Sequence, residues 1–519
     1  MDEDKSLNDF LKAIEDLDIS YDMAPNPQEH SVFTGAATEP LDFKTYAKDI
    51  PCQQACPSKT NVPAYIEAIA KGDPDKAYLI NQEDNVFSGV LGRVCSRPCE
   101  DACRHNWTGT SGPVHICHLK RSASDYKENP PKPLPGWFEE TTKKVAVIGG
   151  GPAGLTAARE LKRYGHSVTI FERDSVLGGM MVQGIPIFRL PRETVDAEVN
   201  AIIESGIDVK YNTNVDAVML QQIIDDFDSV LIAAGTVHPS NLKIPGLPGD
   251  GHTISGLKFM YDYNMDEIGD MKGKNVIIVG GGFTAVDCGR SCARAAKRLV
   301  GAEGSVAIMY RRTEAQMSAD PDEINQMRLE EIVVETLMNP HSARTEDGKL
   351  VGVTFQRNSL DDSEVEGGKP RVHAIEGTEE EYPCDLLIMA IGQTRELKIL
   401  PEGVHQTEGH DTTHEKVWMA GDFNYGSFDV ITAVNDGKEV AKKIDTFLMG
   451  KERRKEHIGI TMLDTNGETG RVRDHDIQFP MEMPKLPLFE RDGTAEVELG
   501  HTEDETLIHA TRCYFCHYK

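Results

Sequence analysis

Nothing in this 519-residue chain is apolar for long enough to cross a bilayer; no run approaches the roughly 18–20 residues that a spanning helix needs. The start, MDEDKSLNDF, lacks the basic and apolar character of a secretory signal. Positive charge is scarce: 55 Lys+Arg face 84 Asp+Glu, for a formal net charge of −29. That balance argues against nucleic acid as the main partner and against an anionic membrane surface, because both attract cationic proteins. The cytoplasm is the expected location. With 39% hydrophobic and 27% charged residues, several cores can be buried and wholesale disorder is excluded. At roughly 100–200 residues per domain, three or four domains are expected.

Eleven cysteines are too few for a disulfide scaffold of this length, but they are clustered. Cys52-x3-Cys56-Pro57 is followed by Cys95-x3-Cys99-x3-Cys103 and then Cys117. Zinc sites usually carry C-x2-C pairs, and this region has none. Six thiolates exceed the four that hold one cubane and fall short of two cubanes. Cys513-x2-Cys516 completes the count, so Cys52, Cys56, Cys95, Cys99, Cys103, Cys117, Cys513 and Cys516 are candidate ligands of two [4Fe–4S] clusters. Cys288 and Cys292, four apart on a predicted helix, read as small core residues, and Cys384 as strand packing.

Residues 1–45 are acidic and proline-containing, with a weak helix signal near Leu7–Leu17, and read as an arm. Helical stretches then carry the cysteines, up to the proline-rich linker Glu128–Trp137. Beyond it the pattern becomes strand–turn–helix–strand: Val145–Ile148, a helix from Pro152 to Tyr164, then Ser167–Phe171. The series recurs at Asn275–Val279, a helix from Thr284, and Ser305–Tyr310.

Each unit carries a glycine loop. In Gly149-x-Gly151-x-x-Gly154 the first glycine permits the turn, the second admits a pyrophosphate, and the third allows close helix contact. Glu172 ends the next strand, where a carboxylate accepts from ribose hydroxyls. The second loop, Gly280-x-Gly282-x-x-Ala285, is followed by Tyr310-Arg311-Arg312, and arginines at that place pair with a 2′-phosphate. NADP(H) is therefore expected in preference to NAD(H). A third strand–turn–helix centres on Gly421-Asp422, with Asp422 suited to a ribityl or ribose hydroxyl and the helix N-terminus to a polar flavin edge. The runs Leu231–Thr236 and Met389–Thr394 each end a strand in glycine.

Taken in order, CQQACPSKTNVPAYIEAI, GVLGRVCSRPCEDAC, VIGGGPAGL, GIPIFRLP, GGGFTAVDC, YRRTEAQMSADPDEI, AIGQ and AGDFNYGSFDVITAVNDGKEVA resemble the glutamate synthase small-subunit family. That family includes the N-terminal half of dihydropyrimidine dehydrogenase and the large subunit of NADH-dependent ferredoxin:NADP oxidoreductase. The resemblance implies an α/β fold with two Rossmann-like domains, an FAD domain interrupted by an NAD(P)H domain, behind a helical iron–sulfur domain. Expected boundaries are 1–45 for the arm, 46–140 for the iron–sulfur domain, 141–262 and 396–450 for the FAD domain, 263–395 for the NAD(P)H domain, and 451–519 for a C-terminal extension. Expected nucleotide contacts are Gly149, Gly151, Pro152, Ala153, Gly154, Glu172, Arg173, Gly179, Arg189, Val215, Ala234, Gly235, Gly282, Phe283, Thr284, Ala285, Arg311, Arg312, Ala390, Gly392, Gly421, Asp422 and Val430. Arg189, in FRLP, is expected to hold FAD near the N-terminal domain, against the plainer reading of a salt bridge.

By the same resemblance Cys56, Cys95, Cys99 and Cys117 hold one cluster, and Cys52 and Cys103 half of the other. The family draws its remaining two ligands from a C-x2-C just upstream of Cys52, where this chain has no cysteine; Cys513 and Cys516 are expected to replace them. No side chain is expected to act as acid, base or nucleophile. NADPH is expected to deliver a hydride to the flavin, with single electrons passing through the clusters to a redox protein acceptor, or flowing in reverse. GRVCSRPC and CYFCHYK also resemble the NAD(P)H:acceptor oxidoreductase that partners dissimilatory sulfite reductase, in which a ferredoxin-like module follows. The alternatives are a glutamate synthase small subunit and a non-catalytic electron-transfer subunit, as homodimer or hetero-oligomer.

Overall fold

The computed structural model describes residues 22–34, 50–106, 112–248, 252–293, 303–366, 368–462, 478–491 and 493–516. The helix expected near Leu7–Leu17 lies outside them. Two five-stranded sheets, each parallel throughout, build the part of the chain after the proline-rich linker. The first runs Val417–Met419, Ser229–Ile232, Lys144–Ile148, Ser167–Phe171, Asp208–Lys210. The second runs Val333–Thr336, Ser305–Tyr310, Asn275–Val279, Leu386–Met389, Thr253–Ser255. Val417–Met419 rejoins the first sheet after the whole second sheet has been made, so one domain is inserted in the other.

The apolar runs of the central strands follow from burial on both faces. Val145 and Val147 point to one side, into a core with Leu155, Leu161 and Val434 from the helices Pro152–Arg163 and Val430–Met449. Ala146 and Ile148 point to the other, against Leu220, Ile223 and Phe423. In the second domain Val276 and Ile278 meet Phe259 and Val286. Ile277 and Val279 meet something the sequence reading did not anticipate, the residues Val353 and Phe355 of a four-stranded antiparallel sheet. Its strands are Met338–Glu346, Lys349–Glu366, Lys369–Ala374 and Glu380–Pro383.

One expected boundary shifts, and two expected extensions pair with each other. Thr253–Ser255 joins the second sheet, and Phe259 and Met260 of helix Gly256–Asn264 sit in its core, although both precede residue 263. Asp22–Thr34, expected in an arm, is a strand paired in parallel with Arg453–Met462, part of a stretch read as merely polar. The register slips between Met23 and Gln28, around Pro25 and Pro27, which have no N–H to give the ladder.

The cysteine-bearing region is helical. Helix Val62–Ala70 starts at Asn61, whose side chain accepts the Ala64 N–H at 3.3 Å, and buries Val62, Tyr65, Ile66 and Ile69 along one stripe. The Tyr65 hydroxyl donates to the Ile116 carbonyl at 3.0 Å, tying that helix to Ile116–Tyr126. The C-terminal helix Glu503–Ala510, opened by a Thr502/Glu505 capping box, packs on both. Arg512 is almost wholly buried and donates to the Pro113 carbonyl at 2.7 Å, Gly112 at 3.0 Å and Gln478 at 3.0 Å. Its own carbonyl meets His105 Nε2 at 2.7 Å, and the His105 ring stacks on Tyr514 at 3.9 Å between centroids. Among the described residues no helix is long and apolar enough to cross a membrane.

Candidate functional site

The carboxyl ends of both parallel sheets open into one cavity of about 1560 Å³. Register explains the convergence. Ile148 pairs with Phe171 and Ile232, which brings Gly149, Glu172 and Ala234 to one edge; Val279 pairs with Met309 and Met389, which does the same for Gly280, Arg311 and Ala390. Every nucleotide contact expected from the sequence lines this cavity except Gly154 and Ala285. A Cβ on Gly154 would stand 2.0 Å from the Gly149 carbonyl oxygen, so that glycine closes the turn from behind. Ala285 is buried in the second core. A Cβ on Gly151 would meet nothing within 4 Å, which leaves the first loop open toward the cavity at the N-terminus of helix Pro152–Arg163.

Glu172 is tied to the loop itself. Its Oε2 accepts the Gly150 N–H at 2.7 Å and its Oε1 the Asp174 N–H at 2.9 Å. Burial pushes its carboxyl up against the pull of those two donors. Asp422, at the opposite wall, is lifted to about 6 by burial and then by Asp429 and Asp436, against the Phe428 N–H.

At the second loop a Cβ on Gly280 would lie 2.2 Å from the Ala390 carbonyl oxygen. Arg312 is buried, with Nε donating to the Pro370 carbonyl at 2.8 Å, and Arg311 is exposed. Sequence reasoning missed the third cation here, Lys369, whose Nζ donates to the Gln316 carbonyl at 2.7 Å. Burial, then Arg312 and Arg311, lower its pKa. Lys369 lies far along the chain, at the start of a strand in the unanticipated antiparallel sheet, and only that sheet brings it to Arg312.

Arg189 is held by carboxylates at the cavity wall. Its Nη1 donates to Asp287 Oδ1 at 2.6 Å and its Nε stands 3.4 Å from Glu323 Oε1. It lines the cavity as an ion pair with the second nucleotide domain, because the carboxylates that neutralise it lie on that side.

The eight candidate thiols lie in the helical region, and their nearest charges on one another trace two sets. Cys117 interacts with Cys95 and Cys99, and Cys56 borders the same small cavity as Cys95 and Cys99. Cys52 is pushed up by burial and then by Cys513, Cys516 and Cys103, which gathers the second quartet. Among the described residues no group of three or more His, Cys, Asp or Glu side chains is arranged to hold one metal ion. The fit to iron–sulfur cages rests instead on four thiols per group and on a buried counter-charge. Lys120, only 4% exposed, lines the inner thiol cavity. Burial lowers its pKa, but Cys117, Cys95, Cys99 and Cys56 outweigh that and raise it overall. No spacing rule pointed to Lys120; it lies one helical turn after Cys117, a signal that was present in the sequence. Cys95 borders both the thiol cavity and the nucleotide cavity, and among the described residues it is the one common to the two linings. Behind it, Val430 faces the nucleotide side and its neighbour Ile431 the thiol side.

Residues 143–437 match the family model described as pyridine nucleotide-disulphide oxidoreductase, and residues 44–131 the one described as dihydropyrimidine dehydrogenase domain II, 4Fe-4S cluster. The chain is 36% identical over 448 residues to the NADP(+)-dependent formate dehydrogenase subunit beta of Moorella thermoacetica, covering 80% of this chain but only 62% of that protein's length. It is 30% identical over 520 residues to the NADPH-Fe(3+) oxidoreductase subunit beta of Geobacter sulfurreducens, covering 90% and 75% of the two chains. It is 29% identical over 428 residues to the glutamate synthase [NADPH] small chain of Escherichia coli K12, covering 76% and 88%.

Proposed function

This chain belongs to the pyridine nucleotide-disulphide oxidoreductase family, and from that membership we propose that its large cavity takes FAD and NADPH together and sends electrons out past Cys95 to a redox partner protein. It is an FAD- and iron–sulfur-dependent NAD(P)H oxidoreductase of the glutamate synthase small-subunit type. The observation that carries the proposal is the shared wall: Cys95 borders the nucleotide cavity on one side and the inner quartet's cavity on the other.

On this reading Gly149, Gly151 and the helix start at Pro152 bind the FAD diphosphate, Glu172 orients the loop through Gly150, and Asp422 accepts from a ribityl hydroxyl. Gly280 to Thr284 receive the dinucleotide, and Arg311, Arg312 and Lys369 hold a 2′-phosphate, which a carboxylate there would repel. Bound FAD would take up an electron pair and release single electrons, and each cluster would carry one at a time. Cys56, Cys95, Cys99 and Cys117 would hold the inner cluster, and Cys52, Cys103, Cys513 and Cys516 the outer. Relatives whose names make them subunits support a protein acceptor or donor. Dissimilatory sulfite reductase as that partner rests on the resemblance of GRVCSRPC and CYFCHYK alone.

Anaerobic titration of the purified protein with NADPH tests the reading. Flavin absorbance should bleach and cluster signals should follow in electron paramagnetic resonance, with NADH far less effective. A coloured protein that oxidises neither nucleotide with an artificial acceptor would leave only a non-catalytic wiring role.

A further inference from the structure

The inner thiol cavity contains a hydrogen-bond chain whose direction is set by chemistry. Lys120 Nζ lies 3.3 Å from Asn85 Oδ1, Asn85 Nδ2 lies 2.5 Å from Thr60 Oγ1, and Thr60 Oγ1 lies 3.4 Å from Cys56 Sγ. An ammonium can only donate, so the Asn85 oxygen must face Lys120. The Asn85 amide N–H therefore faces Thr60 and occupies a lone pair of its hydroxyl. The Thr60 proton is then left to the sulfur. All four residues are buried, at 1% exposure for Thr60 and Asn85, 4% for Lys120 and 6% for Cys56, so water does not compete. Among the described residues, the other acceptor at Lys120 Nζ is the Leu91 carbonyl at 3.4 Å. Each donor polarises the next, and the chain delivers partial positive charge to one thiolate.

We propose that Lys120, Asn85 and Thr60 form a directed donor chain ending on Cys56 Sγ that raises the reduction potential of the cluster held by Cys56, Cys95, Cys99 and Cys117. The inference rests on the cluster reading above. Its physical basis is that hydrogen bonds to cluster sulfurs and nearby cations stabilise the reduced, more negative state. These are positioning residues that act through the sulfur, and Thr60 is the last link. The chain would make the cluster beside the nucleotide cavity easier to reduce than thiol ligation alone allows.

The test uses the full chain, prepared anaerobically with its clusters, as wild type, Thr60→Val, Thr60→Ser and Lys120→Met. Iron is counted, and midpoint potentials are read by electron paramagnetic resonance in a dye-mediated titration. Thr60→Val keeps volume but removes the hydroxyl; Thr60→Ser keeps the hydroxyl. The expected result is wild-type iron in all four proteins. One cluster midpoint should fall in Thr60→Val and Lys120→Met by about a tenfold change in the reduced-to-oxidised ratio, or about 59 mV for one electron. The other midpoint should hold still, and Thr60→Ser should match wild type. Full iron with unmoved midpoints in both altered variants overturns the proposal. So does iron loss from Thr60→Val, Thr60→Ser and Lys120→Met alike, which would make the trio scaffolding. Wild-type protein without iron would sink the cluster reading itself, an outcome visible before any variant is compared.

Discussion

Arg189 Nη1 donates to Asp287 Oδ1 at 2.6 Å, across the line where one nucleotide domain is inserted into the other. The bond belongs to a buried set in which Glu323 also meets Arg290, and Arg290 and Arg491 share Glu330. Three stretches distant in sequence are thus pinned by charge, with Arg189 from the first domain, Asp287 to Glu330 from the second, and Arg491 from the C-terminal stretch.

Removing one member should cost more than removing a pair. Arg189→Met leaves Asp287 buried without its cation and should destabilise the protein by about 3–5 kcal/mol. Arg189→Met with Asp287→Leu should recover much of that loss. Denaturant midpoints of the three proteins decide it, and equal losses in single and double variants would contradict the prediction.

Lys369→Ala should weaken NADPH selectively. A charge-assisted contact to phosphate is worth about 1.5–3 kcal/mol, so kcat/KM for NADPH should fall roughly 10- to 150-fold while that for NADH barely moves. Steady-state assays with an artificial acceptor read both numbers. Equal losses for the two nucleotides would place Lys369 in folding, through its bond to the Gln316 carbonyl.

Asp422 predicts a pH dependence. Burial, then Asp429 and Asp436, lift it from 3.8 to about 6. The native value lies above the unfolded one, so the stability this group contributes is complete below 3.8 and is lost as pH rises through about 6. Flavin-free protein should therefore show an unfolding midpoint that declines over that window, and Asp422→Asn should flatten the decline. FAD retention should run the other way, improving as the ionised carboxylate becomes available to accept from a hydroxyl.

Cys513→Ala with Cys516→Ala should remove one cage and spare the other. Iron should drop from about eight to about four atoms per chain, and the surviving signal should be that of the quartet around Cys56. An iron count that stays at about eight would mean the outer ligands lie elsewhere.

Much of this was legible in the residues. Glycine loops announce themselves because a tight turn, an open face and a close helix contact each exclude a side chain, and Gly149, Gly151 and Gly154 divide those tasks as their spacing implies. The interleaving of domains was legible in Gly421-Asp422, which returns to the first sheet after the second is complete. Counting thiols reached a total of eight, while the expected grouping of Cys52 and Cys103 with Cys513 and Cys516 came from the family resemblance; Cys52 does lie close enough to those three to feel their charge. What escaped was whatever depends on pairing across long stretches. The antiparallel sheet of residues 338–383 hides in a charged, alternating sequence, so Lys369 had no visible reason to stand beside Arg312. The parallel pairing of Asp22–Thr34 with Arg453–Met462 joins two polar segments that carry no local signal. The carboxylate partners of Arg189, Asp287 and Glu323, lie about 100 residues or more along the chain and carried no local signal. Thr60, Asn85 and Lys120 are ordinary residues whose meaning lies only in their order in space.

The clasp of Arg512 on Gly112 and Pro113 sets a timetable for biogenesis. A nascent polypeptide exposes Cys52 and Cys103 long before Cys513 and Cys516 are translated, whereas Cys56, Cys95, Cys99 and Cys117 all emerge early. On the proposed assignment of these thiols to two cages, metal loading should therefore proceed inside-out, with the inner one able to assemble on the ribosome and the outer one completed only after residues 513–516 have folded back.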